Sequence, residues 1–159
     1  MDNVGKGRRA RTQAQRIAAM IRWSGIAMVA LGILHMIVLG IDAVAEIPGW
    51  LGLELWTAEH WQPLRAQRLE LLASNAAFWS TVGSFALPLI MIGAVVIWLD
   101  NRQLPVPAFL GWSLLAWIVV ASLMIEVSGF PLGIPIATCL ILAQGGKRAL
   151  RRLHSHSPR

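Results

Sequence analysis

The sequence predicts an all-α protein: a four-helix transmembrane bundle with an amphipathic interfacial helix between spans one and two. Three observations predict it. Of the 159 residues 56% are hydrophobic and only 14% charged, with a mean hydropathy of +0.59, whereas a soluble domain carries about 25% charged residues. The apolar residues gather in long runs, the first of which, residues 21–41, is long enough to cross a bilayer. The basic residues gather at the two ends. Lys6, Arg8, Arg9, Arg11, Arg16 and Arg22 precede the first run or open it, and Lys147, Arg148, Arg151, Arg152 and Arg159 follow the last. Such flanks are held on the cytoplasmic side, so the formal charge of +6 points to anionic lipid headgroups and away from nucleic acid.

Residues 1–20 read as a basic cytoplasmic arm, polar and interrupted by Gly5 and Gly7, becoming helical near Gln13. In the first span, 21–41, Trp23 suits the inner interface. Gly25, Met28, Gly32, His35, Leu39 and Asp42 recur at steps of three and four and form one helical stripe. Its two glycines allow a second helix to approach closely. Arginines before an apolar run, with Ala43-Val44-Ala45 after it, also fit a cleaved signal peptide. The length of the run, the histidine within it and the long basic arm count against that reading.

Residues 42–75 form the outer interfacial segment. It is net acidic, and Trp50, Trp56 and Trp61 sit among leucines, as in a segment lying in the interface. Pro63 opens a helix through Leu64, Leu71 and Leu72 on this reading. The second span, 76–99, carries small residues on one face, Gly83 among them, and a mid-span Pro88 expected to kink it. The third, 107–125, starts at Pro107 and is closed by Glu126. The fourth, 130–144, follows Ser128-Gly129, with Gly129 and Gly133 four apart for close packing. Gly145-Gly146 is expected to stop it, leaving 145–159 as a basic cytoplasmic tail. The membrane domain is therefore 21–144, with four spans and both termini inside.

His35 is the first candidate for chemistry, because ionisable groups inside a bilayer are costly and often functional. It lies toward the outer end of its span, where Asp42, Asn75 and Glu126 are also expected. These four are the candidate outward-facing polar pocket, with Ser128 and His60 as further members. The plainer alternative is favoured: a neutral imidazole that bonds a serine, an asparagine or a backbone carbonyl of another helix and fixes register. Gly25, Gly32, Gly83, Gly129 and Gly133 are the helix-packing candidates. No metal site is expected, since there is no Cys/His cluster at zinc spacing, and no cofactor. A haem would find one in-membrane ligand, His35, while His60 is in the outer segment and His154 and His156 are in the tail. The single cysteine, Cys139, excludes an internal disulfide and reads as an inert core thiol. No Gly-x-Ser-x-Gly elbow or phosphate loop is present.

Three stretches taken together carry a resemblance. They are Arg22-Trp23-Ser24-Gly25 leading to Gly32-x-x-His35 and Gly40; Phe78-Trp79 with Gly83; and Pro107-x-x-Leu110-Gly111-Trp112 followed by Ser128-Gly129-Phe130 and Pro135. In order and spacing they resemble an uncharacterised family of small bacterial four-helix integral membrane proteins, classed as a domain of unknown function. The resemblance implies a four-span bundle and a recurring histidine on the first helix, and no activity.

The function expected is a non-enzymatic accessory or small-molecule-binding protein of the inner membrane. Its partners are the lipid bilayer and either a second copy or another membrane protein. The alternatives are a small proton-coupled transporter and an intramembrane enzyme acting on lipid or quinone with His35 as acid/base. Neither half of the chain repeats the other, which counts against an inverted-repeat transporter.

Overall fold

The computed structural model describes residues 2–125 and 129–155, with side chains at Arg8, 11–125 and 129–149. Among the described residues every regular element is a helix: α1 (Asp2–Ala43), α2 (Ile47–Leu51), α3 (Leu69–Ser80), α4 (Ala86–Asn101), α5 (Ala108–Met124) and α6 (Gly133–Ser155). Single 3-10 turns occupy Val44–Glu46, Ala58–Trp61, Leu64–Ala66 and Phe130–Leu132. The chain divides into two compact units, and the boundaries fall inside α1 and α4. The first holds the chain up to Met28 and from Ile92 onward; the second is Val29–Met91.

In the first unit four helices each turn one face inward. Ile17, Ile21, Ser24, Gly25 and Met28 are buried on α1, and Gly93, Val96 and Asp100 on α4. Gly111, Leu114 and Ile118 are buried on α5, and Gly133, Ala137, Leu140, Ala143 and Gln144 on α6. Small residues mark the close approaches. A Cβ on Gly25 would lie 3.0 Å from Gly93 O, one on Gly111 2.8 Å from Ile141 Cγ1, and one on Gly133 2.7 Å from Ile118 Cδ1. Trp117 stands edge-on to Phe130 with ring centroids 5.0 Å apart, fixing the entry to α6 against α5. Arg102 places its guanidinium 5.6 Å from the centre of the Trp98 ring at the end of α4.

In the second unit, α2 and α3 are joined by Trp50, whose indole N–H donates to the wholly buried Ser74 Oγ at 3.0 Å. Its ring also meets Phe78 edge-on at 5.6 Å. Gly32 of α1 lies against the start of α4: a Cβ there would be 2.8 Å from Ala86 O.

A helix does occupy the stretch expected for the third span, α5 covering 108–124. Elsewhere the structure corrects the sequence reading. The amino-terminal arm is helical from Asp2, not from Gln13. Alanine, arginine and glutamine favour helix enough to offset Gly5 and Gly7. The outer segment 42–75 is not one amphipathic helix. Leu53 takes a left-handed φ of 63° just after α2, and Pro63, at ψ 139°, is extended and precedes a single turn. The helix through Leu71 and Leu72 starts only at Leu69.

The helix expected over 76–99 is broken at 81–85 and not kinked at Pro88. Pro88 is the third residue of α4, inside the first turn, where its missing N–H would have no helical partner anyway. Hydroxyls satisfy the freed backbone groups. Ser80 and Thr81 both donate to Ala77 O, and Ser84 donates to Thr81 O and accepts from Ala86 N.

Gly145-Gly146 does not stop the last helix, which runs to Ser155. Gly146 is instead a point of close contact, where a Cβ would lie 2.8 Å from Ile17 Cδ1. Cys139 is exposed and not a core thiol. It sits about 160° around the helix from Leu140's neighbour Ala137, which is buried.

Candidate functional site

Apart from Arg22 at its start, His35 is the one ionisable group in the apolar run 21–41 of α1, and it is half-buried. Its Nε2 lies 3.0 Å from the carbonyl oxygen of Ser80. A carbonyl has no proton to give, so Nε2 carries the proton and donates. Ser80 is the last residue of α3, and its carbonyl is one of those a helix end leaves without an internal partner. The imidazole therefore caps the carboxyl end of α3 and fixes it to α1. A backbone carbonyl of another helix is one of the three partner classes open from the sequence, beside a serine and an asparagine.

Of the other pocket candidates, Asp42 is exposed and makes no hydrogen bond. Asn75 turns its Oδ1 inward, buried and without a partner. No hydrogen bond joins His35, Asp42 or Asn75 to one another. Glu126 and Ser128 lie outside the described residues, as does His156. His60 stacks edge-on to Trp61 at 6.1 Å, with a buried Nδ1 that has no partner.

The packing glycines divide. Gly25, Gly32 and Gly133 sit at close helix contacts. Gly83 does not: it lies in the break, donates its N–H to Phe78 O at 2.8 Å, and is crowded only by the rings of Phe78 and Trp79. Among the described residues a Cβ on Gly129 would meet nothing within 4 Å, so no described helix packs there. Both corrections share a cause. Small-xxx-small spacing reports packing only inside a continuous helix, and neither residue is in one.

The loop 57–68 holds a second polar constellation, missed by the sequence reading. Glu59 accepts from the Arg68 backbone N–H at 2.8 Å through Oε1, and from Arg68 Nε at 3.0 Å through Oε2. Arg68 is the residue that caps the start of α3, so the carboxylate serves as a capping acceptor there. Gln67, buried, donates to His60 O at 3.1 Å and Gln62 O at 2.8 Å and closes the loop. The available signal was a glutamate and a Gln-Arg pair bracketing Pro63.

The Arg68 backbone N–H, and then its side chain, hold the Glu59 carboxyl below the ordinary glutamate range. A carboxyl lowered on folding stabilises the fold above its unfolded value, and that stabilisation disappears as pH falls through the folded one. Acidification through that window is expected to loosen the loop, read as lower protection of the Arg68 amide relative to its intrinsic exchange rate at each pH. Glu59→Gln should remove the pH dependence; equal exchange in both proteins at every pH would refute the clasp.

Among the described residues no group of three or more His, Cys, Asp or Glu is placed to hold a metal ion. Residues 19–147 match the model of a family of unknown function, DUF6463. The chain belongs to this family. DUF6463 thus takes in α1 from residue 19 onward, past most of its basic end, both sides of the break, α5 and most of α6, including His35 and its Ser80 partner. No curated protein and no solved structure matches the chain.

Among the described residues one helix, near the amino terminus, is long and apolar enough to cross a membrane. Two more apolar helices, α4 with 16 residues and α5 with 17, are shorter. At 1.5 Å per residue they reach about 24–26 Å.

Proposed function

We propose that this DUF6463 protein is a non-enzymatic integral membrane protein of the bacterial inner membrane, acting as an accessory or small-molecule-binding subunit. It crosses the bilayer four times with both termini in the cytoplasm. The observation that carries the reading is where the apolar side chains point. Ile33, Leu34, Ile37, Val38 and Ile41 on α1, Met91 and Val95 on α4, and Phe109, Trp112, Val120 and Leu123 on α5 are all exposed. Glycine, serine and alanine occupy many of the inward positions. Apolar surface on this scale would aggregate in water and is at home in lipid. Helices of 16 and 17 residues span a bilayer of about 30 Å only with some local thinning or help from flanking residues.

A non-enzymatic role is supported at His35, whose protonated nitrogen is already engaged by Ser80. The break at 81–85 gives one observation to the transporter reading. The carbonyls of Val82 and Gly83 accept no hydrogen bond, and Ser84 O faces Pro88, which has no N–H to offer it. Unwound backbone within a membrane is found where it lines a cavity.

The test is topology. The protein should stay with membranes through alkaline carbonate washing. A reporter that fluoresces only in the cytoplasm should light at either terminus, and a cysteine placed at Trp56 should be labelled from outside intact cells. Recovery in the carbonate supernatant, or a dark reporter at one end, would overturn the four-span reading.

A further inference from the structure

In the second unit the loop between α2 and α3 is built inside out. Glu59 and Arg68 clasp its two ends, and Gln67, only 9% exposed, donates inward to the carbonyls of His60 and Gln62. The apolar side chains point the other way. Trp61 is 88% exposed, Leu64 68% and Leu69 83%, and Trp56, just before the clasp, is 85% exposed. In water the reverse is expected, since glutamine is mostly exposed and large apolar side chains are mostly enclosed. Single apolar residues scattered on a surface need no explanation; four on or beside one short closed loop do.

These side chains are held together. The Glu59–Arg68 bonds of 2.8 and 3.0 Å keep the Cα atoms of Trp61 and Leu69 within about 20 Å, where the same length of free chain could separate them by about 28 Å. Trp56 is tied to the loop by the turn in which the His60 N–H donates to Thr57 O at 3.2 Å. The charges nearly cancel. Glu59 pairs with Arg68, and the exposed Arg65 is flanked by Glu54 and Glu70. Such a surface suits a zwitterionic headgroup layer better than a strongly anionic one.

What leads into the loop indicates what covers it. The chain is helical from α1 through the turn at 44–46 to Leu51. Ile33, Ile37, Ile41, Val44, Ile47 and Leu51 recur along it at steps of three and four, and all are exposed. From Ile33 to Leu51 this stripe rises about 27 Å, close to the hydrocarbon thickness of a bilayer. A stripe of that length in hydrocarbon leaves the loop where acyl chains give way to headgroups, the level that tryptophan favours. We propose that the loop 56–69 seats in the outer headgroup boundary of a zwitterionic phospholipid bilayer, through Trp56, Trp61, Leu64 and Leu69. This contact presupposes the membrane placement proposed above and adds the residues that grip the lipid surface.

The test uses the full chain in phosphatidylcholine vesicles whose acyl chains carry bromine, a quencher of indole fluorescence, either next to the headgroup or near the chain ends. The chain has eight tryptophans, so the signal of these two is the difference between the unaltered protein and the Trp56→Phe, Trp61→Phe double variant. Both side chains are almost wholly exposed, and phenylalanine keeps a ring beside His60, so the variant should fold. The difference signal is expected to be quenched roughly twofold or more better by bromine next to the headgroup than by bromine near the chain ends. Equal or stronger quenching from the chain ends would overturn the boundary placement. A difference signal untouched at either depth, while the other tryptophans are quenched, would overturn the loop contact and leave the membrane placement standing. Iodide added outside then separates a loop left in water, which it quenches, from one covered by a second copy, which it does not. No quenching of any tryptophan would overturn both readings.

Discussion

Replacing Gly32 with alanine is expected to destabilise the protein by about 1–3 kcal/mol, the usual cost of overpacking a tight contact. The new Cβ would lie 2.6 Å from Ile90 Cγ1 and 2.8 Å from Ala86 O. The isoleucine can change rotamer, but the carbonyl belongs to the first residue of α4. It can retreat only if the helix moves. Alanine's better helix propensity, worth about 1 kcal/mol over glycine, does not offset this. Gly129→Ala supplies the matched control. Nothing lies within 4 Å of its Cβ position, and its φ of −75° suits any residue. That change should be neutral, or stabilising by up to about 1 kcal/mol through the unfolded chain. Thermal unfolding of both variants in the same detergent measures the contrast. A Gly32→Ala midpoint at or above that of the unaltered protein would mean that α1 and α4 are not in contact at this point.

What the sequence made legible follows from where its signals are unambiguous. α5 was readable almost to the residue because proline suits the start of a helix and not its interior, and the apolar run after Pro107 is uninterrupted. α1 was readable from the same kind of run. The second span misled because hydropathy averages over short polar interruptions. Ser80, Thr81 and Ser84 are few among the apolar residues around them, yet they are the groups that make a break tolerable. Pro88 was the clue: a proline three residues into a helix is as natural as one that kinks it, and hydroxyls just upstream favour the former. Gly145-Gly146 misled for the opposite reason. A glycine pair stops a helix when one adopts positive φ, and here no glycine does; it also serves where two helices must touch. Cys139 shows a further limit, since an apolar neighbourhood does not reveal which side of a helix faces the core.

The polar groups divide along the same line. That His35 needs an acceptor follows from its chemistry alone, and the candidate classes included the right one. Which carbonyl it takes depends on where α3 ends, and so on the break that hydropathy concealed. Ser24 and Asp100 escaped notice because each is unremarkable in its own stretch. Ser24 is one hydroxyl in a span, and Asp100 is a charge near a turn. That both are enclosed follows only from how the helices of the first unit pack.

His35→Leu is expected to cost about 1–2 kcal/mol, because it keeps the volume while leaving Ser80 O without its donor. The cost should appear locally, as faster amide exchange through the last turn of α3 and the 81–85 break, and as a midpoint lower by a few degrees. His35→Gln restores a side-chain N–H of similar reach and should recover about half of the loss, a difference that a purely steric role would not produce. The same three proteins separate the functional readings. If the imidazole acts as a cap, proteoliposomes containing any of them pass the same background of protons, and their stabilities rank His35, then Gln, then Leu. If the residue lies on a proton path, a pH-driven flux exists in the unaltered protein and both substitutions abolish it, since neither glutamine nor leucine titrates. Glutamine is the discriminating variant, because it makes the hydrogen bond and cannot carry the proton onward. Flux lost in a glutamine variant that remains stable would assign His35 to transport and displace the capping role as the reason for its place on α1.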